Sequence, residues 1–301
     1  MRCLCATLVG LGLLAWAWAA AAQPAIPEEV SFPSLDGTPL KAWLFKPAGT
    51  PRGTVVALHG CGGLYAHTGK RQGLLNARHQ AMADLLVEQG YAALFPDSLT
   101  PRGERELCTQ RYSARRIDQT ERRADALAAM AWAAQHGGAG PQRVALLGWS
   151  HGGSAVLSAT DASRRDVHAQ AVQPVLAVAF YPGCSAPLKG SWKPSAPVLM
   201  LLGALDDWTP PEPCVALARR SGSEVRLFDE SHHDFDNPLP GVRLRTDVPN
   251  GVRPGQGVHA GQNAAAREAA YALLRERLAA AFGAPTGSPS VTAEPAAVRP
   301  P

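Results

Sequence analysis

The chain lacks the short motifs that hold metals and phosphates, and it lacks concentrated charge. Neither a CxxC nor an HExxH pattern occurs, so no spacing points to a metal centre and no cofactor is expected. The nearest approach to a P-loop, Gly63 to Arg71 with Gly69-Lys70, is one residue too long and places Arg71 where a magnesium-binding hydroxyl belongs. The formal net charge is +4, one unit of it from Arg2, and no run of five basic residues appears. That balance speaks against nucleic acid as a partner. The one arginine-rich stretch, Arg111, Arg115, Arg116, Arg122 and Arg123, is interleaved with Asp118, Glu121 and Asp125, as on a solvated helix face. No internal repeat is present.

Cysteine is sparse and unevenly placed. Cys3 and Cys5 precede an apolar stretch from Leu8 to Ala19, which follows Arg2 and leads into small residues at Ala20 and Ala22. Residues 1–22 therefore read as a secretory signal peptide, with the mature chain starting near Gln23 and exported to the periplasm or beyond. A membrane anchor is the competing reading, but the apolar core is short and no basic stop-transfer cluster follows. Four cysteines remain, Cys61, Cys108, Cys184 and Cys214, and an even number in an exported protein predicts two disulfides. Cys184 and Cys214 flank one strand-containing segment, so their pairing is preferred, with Cys61 to Cys108 as the other.

The mature chain, about 280 residues, suits one large domain over residues 23–283. Alternating apolar residues from Ile26 to Lys46, split by Asp36-Gly37, predict an opening β-hairpin. Short apolar runs follow at Thr54 to Leu58, Ala92 to Phe95, Arg143 to Leu147, Val175 to Phe180, Val198 to Leu202 and Val225 to Phe228. Such runs fit strands buried on both faces of a mainly parallel sheet. Between and after them lie helical patterns: Asn76 to Gln89, Ile117 to His136, Gly153 to Asp161, Pro211 to Ser221 and Asn263 to Phe282. A glycine follows three of them, at Gly90, Gly137 and Gly222, as a helix stop. The alternation predicts a doubly wound α/β sheet of about eight strands with an antiparallel hairpin at one edge. Asn237 to Gly261 reads as a long loop bordering the site, and residues 284–301, rich in Pro and Ala, as a disordered tail.

Chemistry concentrates after the predicted strands. Gly148-Trp149-Ser150-His151-Gly152 follows an apolar run and precedes a helix-compatible segment, the arrangement of a nucleophile elbow. A serine hydroxyl needs a base, and the base needs an orienting carboxylate. Asp206 and Asp207 follow one strand, His232 and His233 the next, and spacing alone leaves both pairs open. The order Ser, Asp, His is that of an α/β-hydrolase. Two backbone donors must meet the oxyanion: the amide of His151 and one from His59-Gly60-Cys61-Gly62-Gly63, for which Cys61 is chosen. The Cys61 side chain is either a free thiol or half of a disulfide pinning that loop. His59, His67, His79, His136, His168 and His259, and the His151 ring, read as structural or exposed.

From about Val30 to Phe282 the chain resembles the dienelactone hydrolase-like family of α/β-hydrolases, especially its exported branch. The matching residues are His59 to Gly63, Phe95-Pro96-Asp97-Ser98 with Arg102-Gly103, the elbow, Gly203 with Asp206 and Thr209-Pro210, and His233 two residues before Phe235. The resemblance selects Asp206 and His233 for a triad with Ser150. The family's founding enzymes use cysteine as nucleophile, so Ser150 implies hydrolysis of an ester or lactone rather than of dienelactone in particular. The expected partner is a small-molecule ester or lactone, with no nucleic acid and no stable membrane anchor. A serine peptidase and a non-catalytic binding protein on the same fold are the alternatives. Tyr65, Trp149, Trp208 and Phe235 neighbour the site and could face an acyl group or pack in the core. Arg102 could hold a substrate carboxylate or pair with a nearby acid.

Overall fold

The structure, a computed structural model, describes residues 27–283; the expected signal segment and tail lie outside them. The chain opens with β1 (Glu28–Pro33) and β2 (Pro39–Phe45), paired antiparallel around Asp36-Gly37. Five strands then form the centre: β3 (Thr54–Leu58), β4 (Ala92–Asp97), β5 (Val144–Trp149), β6 (Ala177–Phe180) and β7 (Val198–Gly203), each buried along its whole length. Burial on both faces is why these strands carry unbroken apolar runs. The eighth, β8 (Glu224–Phe228), departs from the expectation of full burial. It is an edge strand, exposed at Glu224, Arg226 and Leu227, so its outer face tolerates charge.

The strand order is β1-β2-β4-β3-β5-β6-β7-β8; β2 is antiparallel to β4 and all pairs from β4 to β8 are parallel. Side chains alternate across the sheet, so Val56 and Leu58 join one core while Val55 and Ala57 join the other. The first core is covered by α2 (Gln119–His136), α3 (His151–Ala159) and α6 (Glu212–Ser221). The second is covered by α1 (Ala77–Glu88) and α7 (Ala264–Phe282).

Two readings of the helices change. Helix α2 starts at Gln119 under a capping box of Asp118 and Glu121, but its arginine face is not solvated. Arg111 and Arg116 are exposed, whereas Arg122, Arg123 and Asp125 are buried beneath the neighbouring elements. Two of these charges are paired, Arg123 with Asp166 at 2.7 Å and Asp125 with Arg102 at 2.8 Å. Helix α2 is lined with alanine on several sides, and α3 packs closely enough to cover the polar residues as well. Gly90 and Gly222 take the left-handed conformation expected past a helix, but Gly137 does not. A Cβ there would lie 2.2 Å from Thr54 Oγ1, so close approach rather than helix termination requires glycine.

The segment from Asn237 to Gly261 is also more than a loop. It contains a small antiparallel ribbon of β9 (Val242–Arg245) and β10 (Val258–Gly261). Four-residue strands flanked by Gly and Pro lie below the length at which alternation is readable.

Candidate active site

The reversal of strand order around β3 creates the site. The chain passes from β3 to β4 on one side and then returns to place β5 on the other, with Leu58 paired to Gly148. The carboxyl ends of β3 and β5 therefore lie side by side, where open α/β sheets bind ligands. This puts His59 to Gly63 next to the turn at Ser150. A Cβ on Gly60 would lie 3.5 Å from Ser150 Cβ.

Ser150 has φ 52° and ψ −115°, outside the regions a serine favours, between the end of β5 and the first residue of α3. Strain of this kind persists only when the surroundings impose it. They do so through glycine: a Cβ at 152 would stand 2.1 Å from the carbonyl oxygen of Leu58, and one at 148 would stand 2.4 Å from that of Gly152.

Ser150 Oγ lies 2.9 Å from His233 Nε2, and His233 Nδ1 lies 2.8 Å from Asp206 Oδ2. The adjacent candidates turn away. Asp207 accepts hydrogen bonds from the amide and Nδ1 of His259, and His232 Nδ1 donates to the carbonyl oxygen of Leu205. Asp206 is held by the amides of Trp208 and Thr209, at 2.9 and 2.8 Å on Oδ1. Burial disfavours the His233 imidazolium, but the Asp206 carboxylate outweighs it and the net shift is upward.

Thr209 and Arg122 belong to the site in ways sequence reasoning missed. Thr209 Oγ1 lies 3.0 Å from Asp206 Oδ2, 3.1 Å from His233 Nδ1 and 3.0 Å from the carbonyl oxygen of Tyr181. The buried Arg122 donates to the carbonyl oxygen of His59 at 2.7 Å, and its other terminal nitrogen lies 3.2 Å from His151 Nδ1. Burial lowers its pKa to about 10 and, with the neighbouring Arg122 charge, holds His59 and His151 well below the usual histidine range. For Arg122 the only signal in the sequence was the neighbouring acids, which matched an exposed face equally well.

Cys61 and Cys108 are joined, as are Cys184 and Cys214, the pairing preferred from the sequence. The first bond, with a 2.7 Å hydrogen bond from the Leu107 amide to the Cys61 carbonyl, ties the loop after β3 to the segment before α2. His151 is the first residue of α3, so its amide has no carbonyl one turn back to bond.

Above Ser150 opens a cleft of about 900 Å³ lined by Cys61, Tyr112, Arg115, His151, Trp192, Trp208 and Val252, among others. The Trp208 ring also lies 4.6 Å from the His233 ring, tilted by 43°. The other expected contacts lie elsewhere. Trp149 is fully buried and donates to Asp236, and Phe235 is packed in the second core. Tyr65 packs against that same core. Arg102 pairs with Asp36 and Asp125 rather than facing the cleft. The ribbon borders the site as expected: Gly251 and Val252 line the cleft, and the Gly261 amide donates to the His233 carbonyl.

A serine beside a histidine that is itself held by a carboxylate can undergo acyl transfer. Solved structures with this fold include a dienelactone hydrolase-like promiscuous phosphotriesterase from metagenomic libraries, at 18% identity, TM-score 0.60, and coverage of 87% of this chain and 100% of that one. Another is a thermophilic esterase from the Planctomycetes species Thermogutta terrifontis, at 19% identity, TM-score 0.57, and coverage of 87% and 95%. No curated protein matches the sequence at a significant level. The model of the dienelactone hydrolase family matches residues 40–282, and the chain belongs to that family of α/β-fold hydrolases.

Proposed function

We propose that this protein is an exported serine hydrolase that cleaves a carboxylic ester or lactone through an acyl-enzyme. The observation that carries the reading is the connected pair of short hydrogen bonds, Ser150 Oγ to His233 Nε2 and His233 Nδ1 to Asp206. Ser150 Oγ attacks the carbonyl carbon as His233 takes its proton, and Asp206 holds the imidazolium. The amides of Cys61 and His151 receive the oxyanion. His233 then protonates the leaving oxygen, which departs and leaves the acyl group on Ser150. Water, activated by the same imidazole, releases the acid and returns the proton to Ser150.

The cleft, at about 900 Å³, has room for a small-molecule ester or lactone. Export is supported by two disulfides, which suit an oxidising compartment, together with the apolar N-terminal segment of the sequence. Among the described residues no helix is long and apolar enough to cross a membrane.

Thermogutta terrifontis esterase 2 is phosphorylated by paraoxon, and the same reagent tests this chain. One phosphoryl group per chain on Ser150, found by peptide mass spectrometry, with hydrolysis of aryl and short acyl esters lost together, is the expected result. Ser150→Ala should lower turnover by at least about a thousandfold without loss of fold. Unchanged hydrolysis in that variant removes Ser150 from the reaction.

A further inference from the structure

The neighbours that the triad leaves over form a group of their own. Asp207 lies in the turn after β7, His232 in the loop after β8, and His259 on β10. One potential ligand atom from each lies within 4.8 Å of the other two. The rings of His232 and His259 are 5.1 Å apart at 32°, beside a single carboxylate. His232 Nδ1 must carry its proton, because its partner is the carbonyl oxygen of Leu205 at 3.0 Å. Nε2 of the neutral ring is then an unprotonated donor. His259 Nδ1 and Asp207 Oδ2 lie 2.7 Å apart, and an ion between them takes the place of the proton they share, leaving both atoms as ligands. A histidine whose second ring nitrogen is anchored by a carbonyl, as in His232, is the form in which proteins present imidazole to a metal.

We propose that Asp207, His232 and His259 bind a zinc ion. Two imidazole nitrogens and one carboxylate oxygen suit zinc, which accepts mixed N and O ligands and leaves a fourth position to water. Calcium and magnesium require oxygen ligands and are poorly served by two imidazoles. The side chains are only part-buried, with His259 47% exposed and Asp207 29%, so they can contract around an ion at bonding distance.

The ion clamps the fold and takes no part in the reaction. Asp207 follows Asp206, and His232 precedes His233. Strand β10 is hydrogen-bonded to the His233 carbonyl through the Gly261 amide, and the Val252 amide donates to the Asp207 carbonyl. A zinc ion here joins the turn carrying the acid, the loop carrying the base, and the ribbon over them.

The test uses the untagged chain from residue 23, stripped with chelator and titrated with zinc by calorimetry and with cobalt(II) by visible absorption. One ion per chain at micromolar Kd or tighter is expected, with the intense bands of four-coordinate cobalt. A free ion concentration about a hundredfold above Kd should raise Tm by about 5 °C. His259→Ala and His232→Ala should each weaken binding by at least about tenfold. Absence of saturable binding, a purely six-coordinate cobalt spectrum, or affinity unchanged in both variants overturns the site. Should His232→Ala fail to fold, His259→Gln on the exposed ribbon decides the question alone.

Discussion

The Arg122 guanidinium donates a 2.7 Å hydrogen bond to the carbonyl oxygen of His59, from beneath the turn that holds Ser150. The same group approaches His151 Nδ1 at 3.2 Å, so one buried cation braces both segments proposed to supply oxyanion donors. Arg122→Met leaves the His59 carbonyl without that donor and frees both segments. The expected effect is a fall in kcat of about tenfold with KM little changed, smaller than the loss from deleting an oxyanion donor directly. The unfolding free energy should fall by about 1–3 kcal/mol, the cost of an unsatisfied buried acceptor. Steady-state kinetics and denaturant titration read the two effects separately. An unchanged kcat would show that the brace is structural only.

Gly152 is required by backbone packing. The Cβ of Gly152→Ala would sit 2.1 Å from the carbonyl oxygen of Leu58, which is fixed in the sheet and cannot retreat. Destabilisation above about 4 kcal/mol is expected, read as loss of soluble protein or collapse of Tm. Gly103→Ala is the control: open space surrounds it, and only its left-handed φ of 78° opposes a side chain. A control as damaging as Gly152→Ala would refute close approach as the cause.

His79 makes the fold sensitive to acid. Burial lowers its pKa from 6.5 to about 3, and Nδ1 is bonded to the carbonyl oxygen of Leu64. Between those values the unfolded chain binds a proton that the folded chain refuses, so stability falls as the pH drops. The contribution is intact above pH 6.5 and falls by on the order of 4 kcal/mol by pH 3. His59 and His151, also shifted downward, act in the same sense. In denaturant titrations at pH 7.5 and pH 4.5, the deficit of His79→Gln against wild type should shrink at the lower pH. A deficit independent of pH would exclude His79 as the source.

The two disulfides should differ in what they support. Cys61 and Cys108 are 47 residues apart and Cys184 and Cys214 are 30 apart, so chain entropy assigns each about 4 kcal/mol of stability. Only the first holds the loop beside Ser150. Cys61→Ser with Cys108→Ser should lower both Tm and kcat, whereas Cys184→Ser with Cys214→Ser should lower Tm and leave kcat within about twofold. Equal effects on kcat would remove the oxyanion loop from the account.

Much of the fold was legible because burial on both faces writes itself plainly. The runs at Thr54 to Leu58 and Val198 to Leu202 coincide with β3 and β7 to within a residue. What escaped lay where local pattern and tertiary environment disagree. Arg122 and Asp125 read as surface residues because charge normally avoids the interior, yet hydrogen bonds from distant segments keep them inside. Trp149 and Phe235 neighbour the site in sequence, but both side chains are fully buried in the second core. The ribbon of β9 and β10 was too short to carry a period.

The sequence by itself determined the class of sheet, the elbow at Ser150 and the order in which its partners follow, because these depend on residue type and near spacing. It left Asp206 against Asp207, and His232 against His233, to resemblance. Only the tertiary structure places His233 against Ser150 and Asp206 against His233, since adjacent side chains diverge. It also decided where the others lie: packing of β10 against the loops after β7 and β8 gathers Asp207, His232 and His259 from positions up to 52 residues apart. Contacts across that separation depend on how the segments cross in space, which no local spacing encodes.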